Sequence, residues 1–334
     1  MQRLDLISGL EAKMHTWYWE ATDKIYKKLQ FFYKDIVELG NLKEDTKGGF
    51  WKGTSAIGAA ELLPRLANGQ IQEDTPIDGF PVYALVKDKG IAMEVPYEQS
   101  RDWWRVEDFI KDYISKNAPS AIETTIDKIV ADIFNYGGYT AGHEATFNQN
   151  SARINLTTYA SPNLCYDGKP FFTREGNERT AKNGSTYFNA FAEVEVNAAT
   201  ARKMRNRLIG KNNKKENGQP FDNSQDLIIV CHPLLVDYWE QVNNSTLNPD
   251  DALHATNPLK GAFKKIIPNQ YFTNETFSAM GRKNTGIKAW FGEPKFKYWE
   301  IPNPPAKWVS IMIDYAICVQ NFRTWVGNNA PISA

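Results

Sequence analysis

The sequence predicts an α+β fold from three observations. Apolar residues recur at helical spacing through much of the first 135 residues. The last third carries short β-prone runs separated by Pro- and Gly-rich turns. No Gly-x-Gly-x-x-Gly follows a strand, so a doubly wound dinucleotide fold has no support. A chain of 334 residues is long enough for roughly two domains.

Taken in order, Leu10, Met14, Trp17, Ala21, Ile25, Leu29, Phe32 and Ile36 predict a helix over 9–39, and Gly40-Asn41 supplies its stop. Trp17, Tyr18, Trp19, Tyr26, Phe31 and Phe32 are spread around it. Such a helix is either a core element or an arm packed on a neighbouring chain, because aromatics on several faces need several partner surfaces. Residues 41–81 are rich in Gly and Pro and lack periodicity. So long a run without helix is functional, extended over a partner, or disordered. Phe50, Trp51, Ile57, Leu62, Leu63 and Leu66 argue against simple disorder. Val82–Val86 and Ile91–Val95 then read as a hairpin around Lys87-Asp88-Lys89-Gly90.

Beyond Pro96, two apolar sets (Trp104, Phe109, Ile110, Tyr113, then Ile122, Ile126, Ile129, Val130, Ile133) predict two helices or one kinked helix. Pro119 falls near the first turn of the second, and Gly137-Gly138 ends it. Residues 139–190 read as loop. Asn197 caps a helix to about Ile209, and the lysine-rich GKNNKKENGQP at 210–220 reads as a solvated turn. Strands are expected at Asp226–Cys231, Lys264–Ile267, Ile287–Phe291, Phe296–Glu300, Trp308–Asp314 and Cys318–Val326, with a helix from Pro233 to about Val242.

Lys+Arg and Asp+Glu are both 39, so the formal charge is zero. A neutral chain is a poor candidate for gripping nucleic acid, which needs clustered basic surface. No run of ~18 apolar residues predicts a membrane span, and the first residues show no apolar core of a signal peptide. Cys165, Cys231 and Cys318 are widely spaced and read as reduced, buried thiols of a cytosolic protein.

His15, His143, His232 and His254 lack metal-ligand spacing. There is no Gly-x-Ser-x-Gly elbow, and Gly48–Ser55 lacks the Lys-Ser/Thr pair of a phosphate loop. Glu44-Asp45, Glu73-Asp74 and Asp250-Asp251 sit in polar segments and read as solvated turns. No catalytic, cofactor-binding or metal-binding residue is therefore expected, and no enzyme activity. Ten tryptophans leave a sugar-binding cleft open as an alternative, although Trp is also favoured at protein interfaces. An aromatic arm, a long semi-extended loop and β-rich segments suit an assembly protein.

The order of segments resembles a known family. FWKGTSAIGAAELLPRLANGQIQEDTPIDGF (50–80) looks like the extended loop of the major capsid (major head) proteins of tailed bacteriophages, which have the Hong Kong 97 fold. VYALVKDKGIAMEVPYEQSRDWWRVEDF (82–109) looks like that family's returning strands, and AIETTIDKIVADIFNYG (121–137) like its spine helix. DGKPFFTREGNERTAKNGSTYFNAF (167–191), DLIIVCHPLLVDYWEQV (226–242), NPLKGAFKKIIPNQYF (257–272) and VSIMIDYAICVQNFRTWVG (309–327) are similar to its later segments, in pattern most closely those of Mu-type head subunits. The family's Leu-Phe-Ser is Phe171-Phe172-Thr173 here, its His is replaced near Asn177, and its double proline is Cys231-His232-Pro233.

The resemblance implies an N-terminal arm (1–42), an extended loop (43–97), a peripheral domain (98–155 and 285–334) and an axial domain (156–284). It implies hexamers and pentamers of the chain itself, closing an icosahedral head around double-stranded DNA that is enclosed without sequence-specific binding. A portal and decoration proteins would be further partners, no membrane is involved, and the virion, assembled in the host cytoplasm, is the location. Trp17, Tyr18 and Trp19 of the arm and Phe50, Trp51, Leu62 and Leu63 of the loop are the expected intersubunit contacts. An encapsulin-type nanocompartment shell and a carbohydrate-active or carbohydrate-binding protein are the alternatives.

Overall fold

The computed structural model describes residues 2–26, 32–45, 50–54, 80–95, 103–135, 165, 171–193, 195–210, 213–216, 218–221, 223–247, 249, 256–302 and 305–330. Leu62, Leu63, His143, His254, Gly137-Gly138, Glu73-Asp74 and Asp250-Asp251 lie outside them. The chain is α+β. Its helices are α1 (Gln2–Tyr26), the short α2 (Leu42–Asp45), α3 (Trp103–Asp112), α4 (Ala118–Asn135), α5 (Ala198–Ile209) and α6 (Val236–Asn244). A π-helical turn, Tyr113–Asn117, joins α3 to α4 into one long helix, and Pro119, which lacks an N–H, follows that turn by two residues.

The first helix stops sooner than its periodicity suggests. Phe32–Asp35 is a 3-10 turn, and Glu38–Gly40 is a strand, β1, lying parallel to β11 (Ile287–Phe291). In the described part of α1 the buried stripe is Leu10, Met14, Tyr18 and Ala21, an i, i+4, i+8, i+11 seam closed against this chain's own core. Residues 10–21 are therefore a core helix of the chain.

Two sheets carry the remaining architecture. The first is built on the 15-residue strand β13 (Pro305–Val319). Strand β4 (Lys87–Val95) pairs along one edge of β13 from Lys307↔Val95 to Tyr315↔Lys87. Strands β11 and β12 (Lys295–Pro302) follow its other edge, separated by a bulge at Gly292–Pro294. Val309, Ile311, Ile313, Tyr315, Ile317 and Val319 turn one face of β13 into the main core.

This corrects two expectations. Lys87-Asp88-Lys89-Gly90 is not a turn but the first half of β4, and Val82–Val86 does not pair with Ile91–Val95. Strand β3 (Pro81–Leu85) pairs instead with β2 (Phe50–Thr54), Phe50↔Leu85 through Thr54↔Pro81. Gly90 serves close approach: a Cβ there would lie 2.8 Å from Met312 Cγ and 3.0 Å from the Ile311 carbonyl oxygen. Similarly, 308–326 is not two strands broken near Tyr315. β13 runs unbroken to Val319, Asn321 caps a 3-10 turn at Phe322–Thr324, and β14 (Trp325–Asn328) joins the other sheet.

The second sheet runs β7 (Ala190–Phe191), β14, β10 (Ser278–Arg282), β8 (Leu227–Cys231), β9 (Lys265–Pro268). Strand β8, between β10 and β9, is buried throughout. Leu227, Ile229, Cys231, Met280 and Val326 face α5 and α6, meeting Met204, Leu208, Trp239 and Val242. Ile228, Val230, Ala279 and Trp325 face the main core. There Phe134, at the end of α4, meets Trp325 at 5.1 Å, Phe171 at 5.9 Å and Phe272 at 6.0 Å between ring centroids.

Sequence and structure agree closely on α5 and α6. Asn197 accepts the Thr200 N–H at 2.7 Å as the N-cap of α5. His232 caps the 3-10 turn Pro233–Leu235 that leads into α6. They disagree at 210–220. Glu216 is fully buried and pairs with buried Arg323, Oε1 to Nη2 at 2.9 Å. Its Oε2 accepts the Lys182 N–H at 3.0 Å. Asn213 and Asn223, also fully buried, donate their amides to the Arg323 carbonyl at 2.9 and 2.8 Å. The segment is pinned into the protein, because an acid and an amide within it, and a second amide just beyond it, find buried partners that composition does not reveal.

Candidate functional site

The surfaces expected to meet other chains are the arm and the base of the loop. On α1, Tyr18 is buried, its ring 5.5 Å from Phe296 and 5.3 Å from Trp19. Burial, only partly opposed by a hydrogen bond with Thr22, pushes its hydroxyl up to about 12. His15 lies edge-on to Phe296 at 5.0 Å, and Glu11 Oε1 accepts the Tyr298 N–H at 3.4 Å, so this turn of α1 closes the flank of β12. Tyr18 thus has no surface left for a second chain. Trp17 is half-buried against the main core, and Trp19, 50% exposed, is the aromatic that α1 turns outward.

The loop's base is a two-stranded ribbon held on the first sheet. Val82 and Ala84 of β3 are buried with Ala316 and Cys318 on the face of β13 opposite the main core, joined by Trp290 and half-buried Trp51. The rings of Trp51 and Trp290 stand 4.8 Å apart, and the Lys288 ammonium lies 5.2 Å from the first and 5.5 Å from the second. Trp290 Nε1 donates to Asp45 at 2.6 Å, which ties α2 to the same point. Gln320 Nε2 donates to the Thr54 carbonyl at 3.2 Å, where the described ribbon ends. Phe50 is placed by its register opposite Leu85. Of the seven expected contact residues, then, Trp19 is exposed, Trp17 and Trp51 are half-buried, Tyr18 is core, Phe50 is fixed by register, and Leu62 and Leu63 are outside the described residues.

Three exposed apolar groups escape a sequence reading. Trp299 (37% exposed) and Trp308 stack across β12 and β13 at 6.3 Å and 10°, with Ile301 (38% exposed) on the same face. Ile91 (55% exposed) stands at the open edge of β4. All sit in regular alternating strands, where sequence cannot say which face the protein covers.

Among the described residues no three His, Cys, Asp or Glu lie close enough together to hold a metal ion. Cys165, Cys231 and Cys318 are buried thiols, and burial raises Cys231 to about 12, far from a reactive thiolate. No helix among the described residues is long and apolar enough to cross a membrane. The most perturbed acids lie on one side of α4. Burial pushes Asp127 up to about 6, against a 3.3 Å hydrogen bond from the Tyr33 N–H and the nearby Lys34, and raises Glu123 also.

No protein-family model and no curated protein matches the sequence. Among solved structures the chain is similar to the capsid of an empty GTA particle (TM-score 0.49, 11% identity, covering 92% of each chain). It is similar to a chain of Mycobacterium phage Patience (TM-score 0.49, 9% identity, 97% of this chain and 87% of that one). It is also similar to a virus-like particle from Pyrococcus furiosus (TM-score 0.45, 10% identity, 97% of this chain and 99% of that one). These scores lie below 0.5, and the functional reading is built on this chain's own segments.

Proposed function

We propose that the chain is a structural shell subunit, a major capsid protein of the Hong Kong 97 type, which assembles into hexamers and pentamers of an icosahedral phage head around double-stranded DNA. In this reading residues 1–42 form the arm, 43–97 the extended loop, 98–155 and 285–334 the peripheral domain and 156–284 the axial domain. The last strand, β14, pairs with β10 and β7, across the proposed boundary between the peripheral and axial domains. A portal and decoration proteins are the further partners, and the virion is the location.

The observation that carries the reading is the ribbon β2–β3. Its strands are separated by residues 55–80 in sequence, yet its described contacts hold its base against the first sheet. The described ribbon is covered by its own sheet, and in this reading the sequence between its strands, with Leu62 and Leu63, supplies contacts to copies of the same chain. Balanced charge limits repulsion between many copies.

Replacing residues 55–80 by Asn-Gly keeps β2 and β3 and closes them with a tight turn. Negative-stain microscopy is expected to show closed particles for the native chain and soluble, unassembled subunits for the deletion. Normal shells from the deleted chain, or a native protein that stays monomeric at every concentration, would refute the reading. Particles that carry protein cargo in place of DNA would point to a nanocompartment.

A further inference from the structure

A polar spot interrupts the apolar layer between the second sheet and its helices. Ser278 opens β10 and Asn328 closes β14, and the two stand directly opposite each other in the antiparallel ladder. Both are fully buried. Strand alternation fixes which face they occupy. Ser278 lies two residues before Met280 and Asn328 two after Val326, and Met280 and Val326 belong to the layer that α5 and α6 cover. Cys231, opposite Ser278 on β8, is in the same layer. Side chains directly opposite in such a ladder have Cβ atoms about 4.5–5.5 Å apart, so Ser278 and Asn328 are immediate neighbours beneath the helices.

Three atoms here have no hydrogen-bond partner: Ser278 Oγ, Asn328 Oδ1 and Asn328 Nδ2. Buried polar groups are nearly always paired, and this fold pairs its other amides. Asn189, equally buried, accepts the Thr173 N–H through Oδ1 and donates through Nδ2 to the carbonyls of Phe171, Phe322 and Trp325. Among the buried amides of the described residues, Asn328 alone has both ends without a partner.

The three atoms select their ligand. Nδ2 only donates, Oδ1 only accepts, and a serine hydroxyl does either. A direct bond between the two side chains engages one end of the amide and leaves the other end bare. An anion would meet Oδ1 and a cation would meet Nδ2, so the mixed set suits neither. Cys231 adds no charge, because burial raises its thiol to about 12 and keeps it protonated. What remains is a small neutral molecule that both donates and accepts. Buried waters do this, typically making about three hydrogen bonds to groups of this kind.

We propose that Ser278 and Asn328 form a binding site for an ordered water held inside the second sheet's helix-covered layer. The water accepts the Asn328 Nδ2–H and donates to Ser278 Oγ, and the serine proton is then directed at Asn328 Oδ1. All three atoms are satisfied, and the end of β14 is tied to the start of β10 by side chains as well as by the ladder. The site belongs to a single chain and does not rest on the shell reading.

A high-resolution crystal structure of the full chain tests this directly. A solvent peak is expected within hydrogen-bond distance of both Asn328 Nδ2 and Ser278 Oγ. The double variant Ser278→Ala, Asn328→Leu removes all three polar atoms and keeps the layer filled. Magnetic relaxation dispersion of water should then count about one long-lived water fewer than in the native chain. A direct Ser278–Asn328 bond with no solvent peak overturns the proposal, as does a peak that refines as a heavier atom such as chloride. Equal numbers of long-lived waters in the native chain and a folded double variant overturn it too. The native crystal structure decides the matter alone if the double variant does not fold.

Discussion

Truncating Glu216 to alanine should cost the folded chain about 3–5 kcal/mol, the usual penalty for leaving one partner of a buried ion pair behind. Arg323 is 2% exposed and Glu216 fully buried, and their contact is 2.9 Å. After truncation, Arg323 Nε keeps the Lys214 carbonyl at 2.6 Å, but the guanidinium has lost its counter-charge. The Lys182 N–H loses its acceptor as well. Glu216→Gln keeps an acceptor while removing the charge, so it should fall between alanine and the native chain. Exchanging both residues for apolar ones of similar size should recover most of the loss. Urea unfolding of the unassembled subunit, followed by circular dichroism and extrapolated linearly, measures each step. Because a buried pair is screened little, the loss should persist in about 1 M NaCl. An alanine variant within about 1 kcal/mol of native stability would show that 210–220 is the solvated turn that its composition suggests.

Asp127 gives a pH dependence with a definite sign. Its pKa in the fold, about 6, stands above the ordinary carboxylate value because burial disfavours the charge. The folded chain therefore holds this proton more tightly than the unfolded one, and stability should rise as pH falls from 7.5 through 6. Allowing for solvent screening, the gain is about 1 kcal/mol. Asp127→Asn should reduce that dependence by this share, the rest coming from Glu123 and Asp132, which burial also raises, and an unchanged slope in unfolding at pH 7.5 against pH 5.5 would refute the assignment. On α1, Tyr18→Ala should destabilise the subunit by about 3–5 kcal/mol. Trp19→Ala should cost about 1 kcal/mol or less while lowering the yield of closed particles. Equal unfolding midpoints for the two variants would mean that the buried seam of α1 is misplaced.

Local signals predicted the elements that local chemistry decides. Strand Ile287–Phe291 was legible to the residue, as were the Asn197 cap, the Pro233 start and the long helix around Pro119. What failed was tertiary. Lys-Asp-Lys-Gly has the composition of a turn, but Gly90 is needed where β4 crosses Met312, a partner more than two hundred residues away. Tyr315–Ile317 looked like a break, yet alternate burial on both sheet faces carries β13 straight through it. Among the candidate contacts, the helical phase that buries Leu10 and Met14 also buries Tyr18 and leaves Trp19 outside. That phase is in the sequence, but which face meets the core is not. Glu216 was hidden because its partner, Arg323, is over a hundred positions distant.

The segment 32–40 shows how such distant pairings make one body of the two sheets. Phe32 packs its ring against Phe272 at 5.8 Å and Phe134 at 6.5 Å, so it touches both the second sheet's flank and α4. Tyr33 bonds α4 through Asp127. Asp35 holds Lys265 of β9 and, at 2.7 Å, Lys283 beyond β10. Burial alone would raise this carboxyl, but hydrogen bonds from the two lysines outweigh it and hold it below its ordinary value. Three residues later Glu38 enters the first sheet beside β11, its carboxylate 3.5 Å from the Lys288 ammonium. Sliding α4 against either sheet must therefore break aromatic packing, a backbone hydrogen bond and an ion triad within one short stretch. Those losses are coupled, because all fall on the same few residues.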